Sequence, residues 1–465
     1  GLFAAAAAYL LLSFALARTL LAGGNMDEKK AFIKLGVLLM GALALRLVLA
    51  IVVRGYGVDM GCFGAWAGKM AHGGPANFYE AGYFCDYPPA YLLVLGVLGW
   101  ISNLTGVALG SMGGEMLLKT VPIACDLALA GVAFAATDRV VGRKPALVIA
   151  ALLVLNPAFV IAGSCWGQID SVLAVLLLVL LLFAREGKWH IAIPVFALAV
   201  LAKPQAGLLA PLGVAALMRD VIRRREARKP AAIGMLLGVA VTAAIVLPFS
   251  PNQDSIFWIV DKYVETLSSY AYATLSTGNL MFLLGGNWVP NETVLFGGVT
   301  YGQLGTVLMA LSFAAGIVVY LRGRDRKRLF LASAVTMQLV FVLGSKMHER
   351  YILPALALLL LAYIETGDAR LLASSIVASA AAAVNIGVVL AFEHLVAPNL
   401  WLGYVIGALL VMNGSKLAMD AAPAEVFTHA GELVEMGLNI PQVTQVFLHL
   451  RQMGVPVENV YTIDQ

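Results

Sequence analysis

The chain has 465 residues, of which 61% are hydrophobic and 12% charged, and its formal net charge is +4. Soluble domains carry about 25% charged residues, so a soluble enzyme is excluded and no nucleic-acid partner is expected. Apolar stretches long enough to cross a bilayer recur along the chain without the period-two alternation of barrel strands, which predicts an all-α, polytopic membrane protein.

The sequence opens on Gly1 rather than Met, so its N-terminus is expected to be incomplete. Residues 2–22 are too long and too alanine-rich for a signal h-region and read as a span. Spans follow near 32–53, 116–137, 145–163, 169–184, 190–202, 205–218, 232–249, 302–321, 329–345, 351–364, 371–392 and 400–412, about 13 with the first. Several are shorter than the ~20 residues a perpendicular helix needs. The pair meeting at Lys203-Pro204-Gln205 suggests the wall of a water-filled cavity, where irregular backbone is tolerated. Residues 88–104 are apolar, yet a crossing there would put Arg139, Arg143 and Lys144 outside. They are therefore assigned to an interfacial or re-entrant helix of the first external loop. With that choice Lys and Arg concentrate in the inner loops, at Lys29, Lys30, Lys34, Arg185, Lys188, Arg219 to Lys229 and Arg322 to Arg328, as in cytoplasmic loops of a cell-membrane protein. Three parts result: an N-terminal span over 1–30, a transmembrane catalytic domain over 31–412, and a polar cytoplasmic tail over 413–465 with helices near 423–436 and 440–453.

The opposite, cation-poor side collects polar clusters among aromatics. Asp59 follows the second span directly, where a carboxylate just outside the hydrocarbon is placed to act as a general base on a hydroxyl. The helix after it carries Phe63, Trp66 and Ala67 on one face, which suits lying flat at the interface. Asp86-Tyr87-Pro88-Pro89 opens the 88–104 helix, and Asp86 either caps that helix or orients a substrate. Asn156-Pro157 kinks a span ahead of Trp166-Gly167-Gln168-Ile169-Asp170. Gln168 and Asp170 suit sugar hydroxyls, and Trp166 offers a ring face; an interfacial Trp and a helix-capping Asp are the plainer alternative. Lys203 and Gln205 flank a proline between apolar helices, where a Lys is costly unless paired or wet. Lys346-Met347-His348-Glu349-Arg350 is the densest cluster: Lys346, His348 and Arg350 can all donate to a phosphate. Asp126 lies mid-span, with Arg46 as its candidate partner. A long loop over 250–300 contains Thr274-Leu275-Ser276-Thr277-Gly278-Asn279-Leu280. Of the four Cys, Cys62 and Cys85 share the first external loop and are placed to pair, while small core thiols are the commoner use. No CxxC or zinc spacing occurs.

These clusters, in this order, resemble the GT-C superfamily of polytopic glycosyltransferases over about residues 30–400, nearest to enzymes that use polyprenyl-phosphate sugars. The resemblance rests on Asp59 with Phe63 and Trp66, Asp86-Tyr87-Pro88-Pro89, Asn156 to Asp170, Lys203-Pro204-Gln205 and Met347-His348-Glu349-Arg350-Tyr351. It implies transfer of a hexose, mannose or glucose, from a polyprenyl-phosphate donor to a lipid or glycan acceptor on the extracytoplasmic face, with inversion. By that likeness Asp59 is the base. Lys346, His348 and Arg350 hold the donor phosphate. Asp86, Tyr87, Trp166, Gln168, Asp170, Lys203, Gln205 and Glu349 contact substrate. A single acidic residue at 59, rather than a pair, favours a mechanism with no metal or other cofactor. A transporter or lipid-linked saccharide flippase is the alternative; it would carry inverted repeats, and none is visible. Residues from about 411 onward, with Lys416 to Asp420, Pro423 to Phe427 and Pro441 to Thr444, resemble the C-terminus of energy-coupling-factor transporter ATPases. The chain has no phosphate-binding loop of the Gly-Lys-Ser/Thr type, so ATP hydrolysis is not implied.

Overall fold

The computed structural model describes residues 2–21, 24, 26–323, 326–391, 405, 407 and 408. In chain order its elements are α1 (Leu2–Leu21), α2 (Glu28–Val52), α3 (Gly57–Gly73), α4 (Pro89–Thr105), α5 (Met112–Val141), α6 (Arg143–Val154) and α7 (Pro157–Phe159). A π-helical turn, Val160–Trp166, leads to α8 (Asp170–Arg185) and α9 (Trp189–Ala202), and a 3-10 segment, Pro204–Leu209, runs into α10 (Ala210–Arg223). Then come α11 (Arg228–Val246), α12 (Trp258–Ser268), β1 (Thr274–Leu275), α13 (Leu280–Leu283), β2 (Val294–Phe296), β3 (Val299–Thr300), α14 (Tyr301–Leu321), α15 (Leu329–Leu343), β4 (Met347–His348), α16 (Leu353–Thr366) and α17 (Ala369–Ala391). A helix stands at every expected span up to 371–392. Among the described residues eight helices are long and apolar enough to cross a membrane, so the chain is an all-α polytopic membrane protein. The expected span at 400–412 falls mostly, and the tail over 413–465 wholly, outside the described residues.

Pairs along α2 and α5 show how the first external loop is built. Phe32 packs edge-on against Phe134 at 5.8 Å. Arg46 Nε donates to Asp126 Oδ2 at 2.9 Å, Lys119 Nζ to the Val53 carbonyl at 2.7 Å, and Arg54 meets Glu115 at 2.6 Å. The two helices therefore run antiparallel, and everything between Arg54 and Met112 leaves and rejoins the bundle at one end. The α3–α4 hairpin sits there, as its assignment to a non-crossing loop requires. Its helices touch closely: a Cβ on Gly99 would collide with the Ala67 carbonyl. This gives the apolar face of α3 a protein partner, which corrects the expectation that it lies on lipid. Phe63, Trp66 and Ala67 are buried in a cluster with Tyr91, Leu92 and Leu95 of α4. All four Cys are free thiols, so Cys62 and Cys85 do not pair.

The remaining passes alternate between two ends. One is marked by Arg143–Glu28 at 2.6 Å, Arg185–Glu365 at 3.6 Å and Arg326–Asp220 at 2.6 Å. The other gathers Asp59, Trp166, the Lys203–Asp170 pair at 2.6 Å and the 250–300 loop, which Asn385 of α17 holds through Gly278 N at 2.9 Å and the Ser276 carbonyl at 2.8 Å. The main apolar core joins α5, α6, α8, α15, α16 and α17 beneath that end.

Arg46 and Asp126 are both fully enclosed in this core. Removing one partner strands a charge in a low-dielectric interior, so Asp126→Ala is expected to cost about 3 kcal/mol. Paired replacement Arg46→Leu/Asp126→Leu should recover much of that loss, read as the thermal midpoint of the detergent-solubilised protein.

Candidate active site

The site is assembled from interruptions in regular helices. Asn156 ends the α6 stretch and caps α7, its Oδ1 accepting from Ala158 N at 3.0 Å, while its amide donates to Ser379 Oγ at 2.8 Å. The next turn widens to π geometry, a form that recurs at functional positions. It stops at Gly167, whose φ of +94° favours glycine, and where a Cβ would lie 2.7 Å from Met60 Sδ. Gly55 leaves equally little room: a Cβ there would lie 2.5 Å from the Trp166 carbonyl. These two close approaches bring the start of α3 against the end of the π turn. Asp59, in the first turn of α3, then receives two donors on Oδ2: Trp166 Nε1 at 2.8 Å and the Gln168 amide.

A cleft of about 310 Å³ opens over this carboxylate. Tyr56, Phe63, Trp66, Phe84, Trp166 and Trp288 supply aromatic walls, and Asp59, Asp86, Gln168, His348, Glu349 and Arg350 its polar groups. Tyr56 stacks on Trp166 with centroids 5.3 Å apart. A second cleft, of about 420 Å³, lies alongside and takes in Lys203, Gln205, Lys346, Asn291 and Tyr351. Asp86, Tyr87, Tyr270 and Arg350 line both and form the partition between them. Tyr270 Oη donates to Asp86 Oδ2 at 2.6 Å. Asp86 therefore does not cap α4, whose N-cap position is Pro88 and which has no side-chain cap.

Beneath the partition lies a charged knot. Lys203 Nζ donates to Asp170 Oδ1 at 2.6 Å; Arg350 Nε stands 3.8 Å from Asp170 Oδ2, and its Nη1 donates to Glu349 at 2.9 Å. The Arg350 guanidinium also covers the Trp166 ring at 5.3 Å, a cation–π arrangement that strengthens when dry. Glu349 is pushed up from the ordinary carboxylate range by burial, opposed by Arg350.

The sequence-predicted residues thus come together, with a division of labour the sequence hid. Asp59, Trp166, Gln168, His348 and Glu349 border the first cleft, Lys203, Gln205 and Lys346 the second, and Asp86, Tyr87 and Arg350 both. Asp170 lines neither: it is fully buried and balances Lys203 and Arg350, which corrects its expected contact with substrate. Lys346 and His348 also face different clefts rather than one ligand. His348 is buried between the rings of Tyr270 (4.7 Å) and Tyr351 (5.1 Å), and its Nε2 has no partner. Burial, then the charges of Arg350 and Lys203, push its pKa well down, so it stands neutral and acts as a hydrogen-bonding group rather than a cation. Tyr56, Tyr270 and Trp288 were missed. Tyr270 and Trp288 come from the 250–300 loop, where no local pattern marks them. The Thr274 to Leu280 run in that loop is a clamp: β1 pairs in parallel with β4, Thr277 Oγ1 donates to the Met347 carbonyl at 2.7 Å, and the Asn279 amide donates to the Phe341 and Gly344 carbonyls that end α15.

A bundle of membrane-crossing helices holding a carboxylate in an aromatic cleft beside a cationic one suits a polytopic membrane transferase. Residues 84–345 match the family model for glycosyltransferase family 87. That is more than half of the chain, which belongs to this family. A short C-terminal stretch has a separate likeness. Over 58 residues it is 40% identical to the energy-coupling factor transporter ATP-binding protein EcfA2 of Caldanaerobacter subterraneus subsp. tengcongensis, covering 12% of this chain and 20% of that protein. It is 38% identical over 58 residues to EcfA2 of Clostridium tetani, again 12% and 20%. The stretch spans about a fifth of the length of these relatives.

Because His348 is neutral, it adds no titration of its own near neutrality. The kcat/KM profile between about pH 5 and 8 should therefore keep its shape in His348→Gln; an inflection present in the wild type and lost in this variant would show a charged imidazole at work.

Proposed function

We propose that the protein moves one hexose, mannose or glucose, from a polyprenyl-phosphate donor to a lipid or glycan acceptor, inverting the anomeric carbon, on the extracytoplasmic face of the cell membrane. One observation carries this: the Asp59 carboxylate is fixed by Trp166 and Gln168 in a cleft that shares the Arg350 wall with a second cleft containing Lys203 and Lys346. The acceptor hydroxyl lies in the first cleft against Asp59, and the donor phosphate enters from the second.

The step is a single displacement. Asp59 takes the proton of the acceptor hydroxyl as its oxygen bonds to the anomeric carbon. The bond from that carbon to the phosphate oxygen breaks on the opposite face, and the phosphate leaves with the electron pair. Arg350, and Lys346 from the second cleft, stabilise the charge that develops on the leaving group. Trp166 and Gln168 keep the carboxylate aimed, and the aromatic walls exclude competing water. Holding both reactants in register contributes much of the rate. The neutral His348 donates to or accepts from a sugar hydroxyl through its unpartnered Nε2. The orientation rests on charge. Lys29, Lys30, Lys34, Arg143, Arg185, Arg223 to Lys229 and Arg370 sit at the end opposite the clefts, which the distribution of cations makes cytoplasmic.

Asp59→Asn should lower kcat by about 10²- to 10⁴-fold without moving the thermal midpoint, measured with a radiolabelled polyprenyl-phosphate hexose; near-normal turnover would remove the mechanism. Lys346→Ala should raise KM for the donor while leaving the acceptor KM in place. Among the described residues no group of three His, Cys, Asp or Glu side chains is placed to share a metal ion. A single acidic residue at 59, rather than a pair, supports a metal-free mechanism, so turnover is expected to persist in excess chelator, and a loss reversed by added Mg²⁺ or Mn²⁺ would overturn that part.

A further inference from the structure

The second cleft has one wall of a different kind from the rest. Lys203, Pro204, Gln205 and Leu208 come from the α9–α10 junction, Thr306 and Met309 from α14, and Lys346, Met347 and Arg350 from the turn before α16. The last wall, Thr266, Leu267 and Tyr270, belongs to α12 and the residues after it. This short helix is anchored at its start, where buried Trp258 donates to Ser250 Oγ at 2.9 Å and packs on Tyr79, and its later part is joined to the cleft by few bonds. Lys346 Nζ donates to the Leu267 carbonyl at 3.3 Å, Tyr270 Oη to Asp86 at 2.6 Å and Tyr263 Oη to the Val200 carbonyl at 2.8 Å. Its other side is bare: Ile256 is 86% exposed, Phe257 64%, Val260 54%, Val264 62% and Leu267 63%. Val260, Val264 and Leu267 fall within one face of α12, and Ile256 and Phe257 stand in the turn just before it. Asp261 and Glu265 lie to one side of that stripe and are exposed.

A stripe of large apolar side chains facing water is costly, and on a monomer it marks a surface that meets something apolar. Position names the occupant. The helix follows α11, a span by length and composition, through the 247–257 segment, and shares the second cleft with α14, another span whose Val307 and Leu311 are exposed in the same way. The stripe thus continues the lipid-facing surface of the bundle at the end that holds the clefts, and its adjacent carboxylates are placed for the headgroup layer.

We infer that α12 lies in the plane of the bilayer surface, with Ile256, Phe257, Val260, Val264 and Leu267 seated in lipid, and that it is the movable wall through which a lipid-borne substrate enters the second cleft sideways. This rests on the proposed donor for the identity of that substrate, but not for the seat of the helix. The bond from Tyr270 to Asp86 and that from Lys346 to Leu267 are the latch. They tie the wall to the residues that face the donor, so a donor phosphate drawing Lys346 away from the Leu267 carbonyl releases one of the two. A substrate with a short, water-soluble tail reaches the same cleft without the bilayer and does not need the seat.

Two measurements on the full chain in proteoliposomes test this. In Val264→Trp, brominated phospholipids should quench fluorescence beyond the quenching of wild type; no added quenching places α12 in water and overturns the inference. In Val260→Glu/Val264→Glu, transfer from a long-chain polyprenyl-phosphate hexose should fall about tenfold, while transfer from a two-isoprene analogue added from solution stays close to wild type. Equal loss with both donors, at unchanged thermal stability, or no loss with either, would also overturn it. If the wild type transfers sugar from neither donor while the quenching is seen, the glycosyl-donor reading fails and the membrane seat of α12 stands.

Discussion

Arg350 is the residue on which the site's geometry turns. A guanidinium is never deprotonated at physiological pH, and burying one is tolerated only when its charge is matched. Here the matching is spread over three directions: Glu349 beside it, Asp170 behind it and the face of Trp166 above it. Each of these partners is held in turn by something else. Asp170 is shared with Lys203, and Trp166 donates to Asp59. The carboxylate at the head of α3 and the cation before α16, almost three hundred residues apart, are thus parts of one electrostatic unit with the indole between them. Displacing Glu349, Asp170 or Lys203 leaves a buried charge without its balance.

The backbone features around this unit serve the same requirement. The π turn and Gly167 let the chain pass close enough to Met60 for Trp166 and Gln168 to meet Asp59. The hairpin of α3 and α4 returns to its starting level, so the apolar α4 packs behind the α3 residues that line the first cleft. Lys119, fully buried, donates to the Ala50 and Val53 carbonyls at the end of α2 and steadies the point from which the hairpin leaves. Below the clefts, helices of fourteen to sixteen residues such as α8, α9 and α16 are shorter than a bilayer core requires. The polar end therefore begins short of a full bilayer crossing.

Much of this was legible in the sequence because polar residues in an apolar chain stand out. Asp59, Asp86, Trp166, Gln168, Lys203 and Arg350 are conspicuous against their neighbours, and Lys and Arg gather at the end opposite the clefts. Charge argued that residues 88–104 do not make a lone crossing, and the structure returns the chain to the same end through the α3–α4 hairpin. Three things were not readable. Asp170 looks like a ligand in its motif, and only the approach of Lys203 and Arg350 shows that its charge is already spoken for. Tyr270 and Trp288 are ordinary loop aromatics until the parallel β1–β4 pairing and Asn279 fix the loop over the site. Protonation of His348 depends on how completely Tyr270 and Tyr351 enclose it, which no local pattern encodes. In each case the missing information is a contact between segments far apart in the chain.

The pairing of Asp170 with both Lys203 and Arg350 bears on how the protein is made. Chains enter the membrane from the N-terminus, and α8 with its leading carboxylate is in place well before the turn at 346–350 has been synthesised. A lone aspartate at the membrane surface would meanwhile be free to draw its helix out of register. Lys203 follows one helical hairpin later and neutralises it early, so the nascent bundle can wait for Arg350 without an exposed charge.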